Sequence, residues 1–316
     1  MNGIEISRRF FEEYGMPMLS GFPDVRNLVS AALTGSGSEC YGYDDDLSRD
    51  HDFEPGFCLF LPGEETVDRR TAFLLERAYA KLPQSFLGLQ RSRMNPVGGN
   101  RHGVLRIADY YEQLLGSSDG TVSWQQWLSL PSYRLAEAVN GEVFYDPSGA
   151  LTAVRERIRN CPEDILRKKL AGSLAVMAQA GPYNFSRCLQ HGEPAAAQLA
   201  AHLFVQQTLQ AVFLLNGRYC PFYKWAFRAL RDLPELSDLG SCLSLLLSGD
   251  NSDPETAREK TETIERICTA IAAALREKGY SDRTDEDLEK HALRVNDGIR
   301  DAVVRNLHIM AGADTL

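Results

Sequence analysis

Beyond residue 155 the chain offers no convincing strand, and its apolar residues recur at helical spacing. Phe222, Trp225, Ala226, Ala229, Leu230 and Leu233 form an i, i+3, i+4, i+7 stripe over 221–233, with Pro221 read as the first helical residue. Further helices are expected over 163–178 and 194–215, the latter with Leu199, Leu203, Gln206, Leu209 and Phe213 near helical period. Another runs from Asp253-Pro254 to Lys278-Gly279, with an N-cap, an N1 proline and a C′ glycine. Thr284-x-x-Asp287 opens the last, expected to reach Leu307. Five or more such helices call for a bundle.

The first half reads differently. A helix over 4–14 is followed by a buried strand over 27–34 and a second strand pattern over 51–61, interrupted at Pro55-Gly56. A helix over 68–81 and short strands at 104–108 and 142–145 complete it, with the turn Tyr145-Asp146-Pro147-Ser148-Gly149 after the last strand. The expected fold class is therefore α+β: a small mixed-sheet domain over 1–155, then an all-α helical bundle over 156–316. A chain of 316 residues is long enough for two domains. A Gly-rich, basic loop is expected over 90–102.

The charge balance excludes some functions. Against 43 Asp+Glu stand 34 Lys+Arg, a net charge of −9, which argues against a template-reading nucleic-acid binder. No apolar run reaches the length of a membrane span, and residues 1–14 lack the apolar core of a secretory signal, so no membrane partner is expected. Seven cysteines are scattered without a C-x-x-C pair, which reads as reduced thiols and a cytoplasmic location, with no zinc site.

The stretch that carries chemistry is GSGSECYGYDDDLSRDHDF, residues 35–53. Gly37-Ser38 follows a strand, and a turn there presents backbone N–H groups and a hydroxyl suited to phosphate oxygens. Twelve residues after Ser38 comes Asp50-His51-Asp52, at the expected start of the second strand. Strand alternation sends Asp50 and Asp52 to one face and His51 to the other, as a packed or capped imidazole. Two adjacent carboxylates raise each other's pKa unless a cation lies between them, and a divalent ion with oxygen preference, Mg²⁺ or Mn²⁺, fits. The flanking Asp44-Asp45-Asp46 reads as a solvated loop.

A glycine-serine turn, a spacer of about ten residues and Asp-x-Asp resemble the signature of the DNA polymerase β-like nucleotidyltransferase superfamily. GEVFYDPSG (141–149) and LLNGRYCPFYKW (214–225) strengthen the resemblance to an uncharacterised bacterial branch of it, over about residues 24–233. The resemblance implies a two-domain architecture like that of kanamycin nucleotidyltransferases. It also implies an Mg²⁺-dependent transfer of a nucleoside monophosphate from a triphosphate, ATP first among them, to a hydroxyl of a small molecule or protein. Asp50 and Asp52 would be the catalytic, metal-holding pair, and Gly37 and Ser38 the phosphate cradle. Lys224 shares a helix face with Arg228 and Arg231; it would reach the triphosphate, as a bundle lysine does in similar enzymes, or lie on a solvated face. Arg187 is a second basic candidate.

One departure stands out. Catalytic members carry a third carboxylate on a later strand, and the matching stretch here, 101–108, offers no acid and holds Arg106. Asp109 and Glu142 lie nearby, and neither is assigned the role. The alternative is a catalytically inactive nucleotide-binding regulatory module, or a bundle that docks a partner protein. The acceptor and the oligomeric state are not legible.

Overall fold

Asn2 caps the first helix of the computed structural model: its side chain accepts from the Glu5 amide at 2.9 Å, and the Glu5 carboxylate accepts from the Asn2 amide at 3.0 Å. Residues 1–45, 54–91 and 102–313 are described. Helix α1 (Gly3–Phe10) runs through a π-helical turn (Phe11–Gly15) into α2 (Met16–Ser20). A Cβ at Gly15 would lie 2.5 Å from the Phe11 ring and 2.8 Å from that of Phe57, so this residue lets the helix sit close against the aromatic core.

Strands β1 (Ser30–Leu33) and β2 (Cys58–Leu61) are buried at all four positions, as central strands covered on both faces must be. The second strand is shorter than the sequence pattern suggests. Residues 54–57 are described and lie outside the ladder, and 51–53 fall outside the described residues. Helix α3 (Arg69–Ala80) follows, with Asp68 accepting from the Thr71 amide at 2.7 Å. A two-residue turn with positive φ at Leu87 and Gly88 joins β3 (Ser85–Phe86) to β4 (Leu89–Gln90). Strand β5 (Gly103–Arg106) gives way at once to α4 (Ile107–Leu115), so the strand expected to reach residue 108 ends two residues sooner.

Short helices α5 (Trp124–Ser129) and α6 (Ser132–Val139) precede β6 (Glu142–Tyr145) and α7 (Ala150–Arg159). The four-stranded sheet has the order β5-β2-β1-β6. β1 is antiparallel to both β2 and β6, and β2 is parallel to β5. The fold is α+β, with a small mixed sheet toward the N-terminus and a helical region after it. Its described residues form two compact units: Met1–Val122 with Glu137–Asn160, and Ser123–Ala136 with Cys161–Leu316.

The core of the first unit is aromatic. Phe11 and Tyr79 meet the Phe57 ring edge-on, with centroids 5.1 and 5.0 Å away. The buried Tyr79 hydroxyl donates to the Phe57 carbonyl at 2.7 Å and accepts from its amide at 3.1 Å, so the strand entry is pinned by both backbone groups. Burial raises this phenol well above its ordinary pKa.

The second unit continues with α8 (Glu163–Ala178), which passes through a π-helical stretch (Gln179–Phe185) into α9 (Ser186–Gln190). Helix α10 (Pro194–Leu215) is buried along almost its whole C-terminal half, Gln207, Thr208 and Gln210 included, so no single apolar face is left there; Leu199 and Leu203 are exposed instead of packed. Helix α11 (Tyr223–Arg231) starts two residues after Pro221, which therefore precedes the helix, and α12 (Leu239–Ser248) follows. Helix α13 (Pro254–Glu277) has Asp253 as N-cap and ends at Gly279 with φ +71°. Asp287, not Thr284, caps α14 (Leu288–Asp297), accepting from the Glu289 and Lys290 amides. That helix ends at Gly298, and Asp301 caps a separate α15 (Ala302–Arg305), so a single helix to Leu307 does not form.

Candidate functional site

Strand register fixes where the candidate residues emerge. Ala32 of β1 pairs with Cys58 of β2, so the chain leaves β1 at the sheet end where it enters β2. Cys58 pairs with Gly103 in the parallel ladder, and Leu33 with Glu142 in the antiparallel one. The exit of β1 and the starts of β2, β5 and β6 thus share one end of the sheet.

At that end the chain turns at Thr34-Gly35. The Asn140 amide clamps Gly35, accepting from its N–H at 3.0 Å and donating to its carbonyl at 2.7 Å. The Thr34 hydroxyl lies 3.1 Å from both the Glu137 carbonyl and the Asn140 Oδ1. Arg155, 1% exposed, donates to Thr34 Oγ1 at 3.3 Å and to the Val139 and Asn140 carbonyls at 2.7 and 2.6 Å. Burial pulls its pKa below the ordinary arginine value, while the Tyr111 phenol acts the other way. Gly141 has φ +65°, and a Cβ on it would lie 2.0 Å from the Leu33 carbonyl oxygen.

Gly37 is extended (φ −75°, ψ 154°) and leads into a 3₁₀ turn, Ser38–Tyr41, closed by Gly42 at φ +69°. Among the described residues, the Gly37 and Ser38 amides and the Ser38 hydroxyl have no hydrogen-bond partner. Tyr41 stacks on Tyr43 with centroids 5.8 Å apart, and its buried hydroxyl has no hydrogen-bond partner among the described residues. Burial, then the Glu137 charge, drives this phenol far above its ordinary pKa. Asp50 and Asp52, and His51 between them, lie outside the described residues. Of the aspartates before them, Asp44 is not merely solvated: its Oδ2 accepts from the Gly3 amide at 3.0 Å, and its buried Oδ1 has no partner among the described residues.

Other nearby polar residues have structural partners. Arg106 donates to the Pro62 and Val67 carbonyls at 2.6 and 2.9 Å, which ties β5 to the loop after β2. Glu142 is ion-paired with Arg8. Asp109 is exposed in the first turn of α4. The ring Nδ1 of buried His102 lies 3.4 Å from a Glu54 carboxylate oxygen. Among the described residues, no cluster of three His, Cys, Asp or Glu could hold a metal ion.

In the second unit, Lys224 is the second residue of α11, exposed, with its ammonium 5.0 Å from the Trp225 ring centroid. Arg228 is half-buried and Arg231 exposed. Arg187 donates to the Tyr183 hydroxyl at 3.1 Å and lies over that ring. Most of the Gly-rich basic loop, 92–101, falls outside the described residues.

A family profile described as a domain of unknown function (DUF4037) matches residues 127–226. A nucleotidyltransferase-like protein from Exiguobacterium sibiricum 255-15, solved by crystallography, resembles 91% of this chain over 89% of its own, at 14% identity and a TM-score of 0.37. No curated protein matches the chain. The profile match takes in Asn140, Gly141, Arg155 and Lys224, and leaves out Gly37, Ser38, Asp50 and Asp52.

Sequence reasoning missed Thr34, Asn140 and Arg155. One signal was present: Asn140-Gly141 before a strand is a turn dipeptide. No signal linked it to Gly35, 105 residues away in the chain.

Proposed function

We propose that the chain is an Mg²⁺-dependent nucleotidyltransferase that moves a nucleoside monophosphate from a triphosphate, ATP by preference, to a hydroxyl of a small molecule or protein. The observation that supports this reading most is the register Ala32↔Cys58. It puts the exit from β1, which carries Gly37-Ser38, at the same sheet end as the entry to β2, which follows Asp50-x-Asp52. The free Gly37 and Ser38 amides and the Ser38 hydroxyl would donate to triphosphate oxygens. Asn140 and Arg155 would act as positioning residues, holding the Thr34-Gly35 turn. Lys224 is assigned to the nucleotide's negative charge.

The donor set of the two aspartates, carboxylate oxygens alone, suits a hard divalent ion, and Asp50 and Asp52 would hold it. Bound there, it would supply charge neutralisation at the transferring and departing phosphates. A second reading, nucleotide binding without turnover, is favoured by one observation: β5 carries no acid, and its Arg106 is committed to two carbonyls.

Pyrophosphate release from ATP with Mg²⁺ separates the two. The transferase reading expects release that falls by orders of magnitude in Asp50→Asn/Asp52→Asn while the melting temperature holds. Binding of ATP by calorimetry with no release in the wild type, across a panel of hydroxylated acceptors, would favour the second reading. Undiminished release in the double variant would remove the aspartate pair from the chemistry.

A further inference from the structure

A cavity of about 340 Å³ lies in the second unit, lined by Arg167 of α8, Arg276 of α13 and Arg294 of α14, with Tyr280, Asp282 and Gly298. Three guanidiniums stand against the lining carboxylate of Asp282 and that of Glu163, which pairs with Arg167, and leave a formal surplus of one positive charge in a chain whose net charge is −9. Drawing like charges together costs free energy, so their convergence needs a reason.

Helix electrostatics explains two of the three. Arg276 and Arg294 occupy the last turns of their helices, where the helix dipole favours a cation. Arg167 is different. It lies near the start of α8, the end of a helix that favours an anion. It is nonetheless held in place: its guanidinium carbon is 4.9 Å from the Tyr280 ring centroid, and its Nε is 2.8 Å from Glu163. A Cβ at Gly298 would lie 2.6 Å from Arg167 Nη1, so a side chain at that position would make the guanidinium shift.

The donors are only partly used. Arg276 reaches the Asp285 carbonyl at a marginal 3.5 Å. Arg294 pairs with Asp282 through Nε and Nη2, at 2.7 and 3.0 Å. The competing carboxylates are solvent-exposed, 72% for the Asp282 side chain and 58% for Glu163, so water screens both pairs. Asp297 adds a more distant negative charge near Arg294.

We propose that this cavity binds the phosphate monoester group of a small molecule. A phosphate dianion offers three oxygens to planar guanidinium forks and offsets the surplus charge. The volume falls at the lower end of small-molecule pockets, about 300–1,000 Å³, and leaves room beyond a single phosphate for part of the esterified molecule. The proposal stands independently of the nucleotidyltransferase reading, since no residue of the two is shared.

The test is calorimetric titration of the full chain with inorganic phosphate and with ribose 5-phosphate, with ionic strength matched by chloride. Saturable binding is expected, weakened tenfold or more in Arg167→Gln and in Arg276→Gln, and tightened in Asp282→Asn, which removes a competitor. Tighter binding of the ester than of free phosphate would assign the site to a phosphorylated metabolite, and equal binding would assign it to phosphate itself. Asp282→Asn changes an exposed side chain, so it reports even if an arginine variant fails to fold. Absence of saturable binding to both probes, or affinity unchanged in all three variants, overturns the proposal.

Discussion

Gly141 shows what one backbone position demands. Its φ of +65° is unfavourable for any residue with a Cβ, and that Cβ would also meet the Leu33 carbonyl oxygen at 2.0 Å. Gly149 has a similar φ of +70° with nothing within 4 Å. The pair separates conformation from contact. Gly149→Ala should cost about 1–2 kcal/mol, the left-handed penalty alone. Gly141→Ala should cost about 2–4 kcal/mol, because β1 must also shift to relieve the overlap. Urea unfolding of both variants measures the difference, and equal costs would mean that β1 yields freely. Around this glycine, Asn140 and Arg155 hold the Thr34-Gly35 turn through long-range hydrogen bonds. A turn residue is legible from its dipeptide, but its partner across the fold is not, because no local pattern encodes a contact over a hundred residues away.

At the scale of elements, chemical signals located some termini and misplaced others: Pro221 precedes α11 instead of opening it, and Asp287, not Thr284, caps α14. Asp253, Pro254 and Gly279 bracket α13 as their residue types require. The strand pattern over 51–61 mixes apolar residues with a proline-glycine break, and of its described residues only Cys58–Leu61, after that break, join the ladder. Helix α12 was missed although Asp238 precedes it and Gly249 follows it: its interior is rich in serine, which competes for backbone hydrogen bonds, and the Asp238 side chain makes no cap bond. Asp253 also carries a pH dependence. Its bonds to the Thr256 hydroxyl and amide hold its pKa below the ordinary carboxylate value of 3.8. A carboxyl depressed in the folded state adds stability that is fully present above its unfolded pKa and is lost as pH falls through the folded one. Asp253→Asn keeps an acceptor without the titration. The wild type should therefore lose more melting temperature than this variant between pH 5 and about pH 3; parallel curves would show that the cap contributes no linkage.

Lys260 ties three segments of the same bundle. It is fully buried, and its ammonium donates to Gln198 Oε1, the Gly249 carbonyl and Asn251 Oδ1 at 2.9, 2.7 and 2.7 Å. Burial lowers its pKa, and the Asp250 charge opposes the shift. Methionine fills similar volume but leaves three acceptors without this donor. Lys260→Met should thus destabilise by about 2–4 kcal/mol, since each unsatisfied buried acceptor costs about 1–3 kcal/mol and the longer side chains can partly re-pair. Chemical denaturation checks this, and a stability equal to the wild type would show that water or repacking replaces the ammonium.

Over the whole molecule, the balance of charge bears on how a nucleotide is held. With a net −9, the chain repels a triphosphate at long range, so binding must come from local donors and cations. Lys224 is exposed on α11 with an aromatic ring beside it, and a lysine there can serve as a ligand cation or simply rest on Trp225. The two roles separate in measurement. As a ligand cation, Lys224→Ala should raise the apparent Kd for ATP by tenfold or more, well beyond Arg228→Ala or Arg231→Ala, while the apo melting temperature stays within a degree or so, because truncating an exposed lysine shifts stability by about 0.5 kcal/mol or less. Raising the salt should narrow the gap between wild type and Lys224→Ala, since screening weakens the exposed charge it supplies. Equal ATP affinity for the two proteins at matched ionic strength would leave Lys224 a solvated lysine packed on Trp225, and would leave nucleotide binding to the sheet end that carries Gly37 and Ser38.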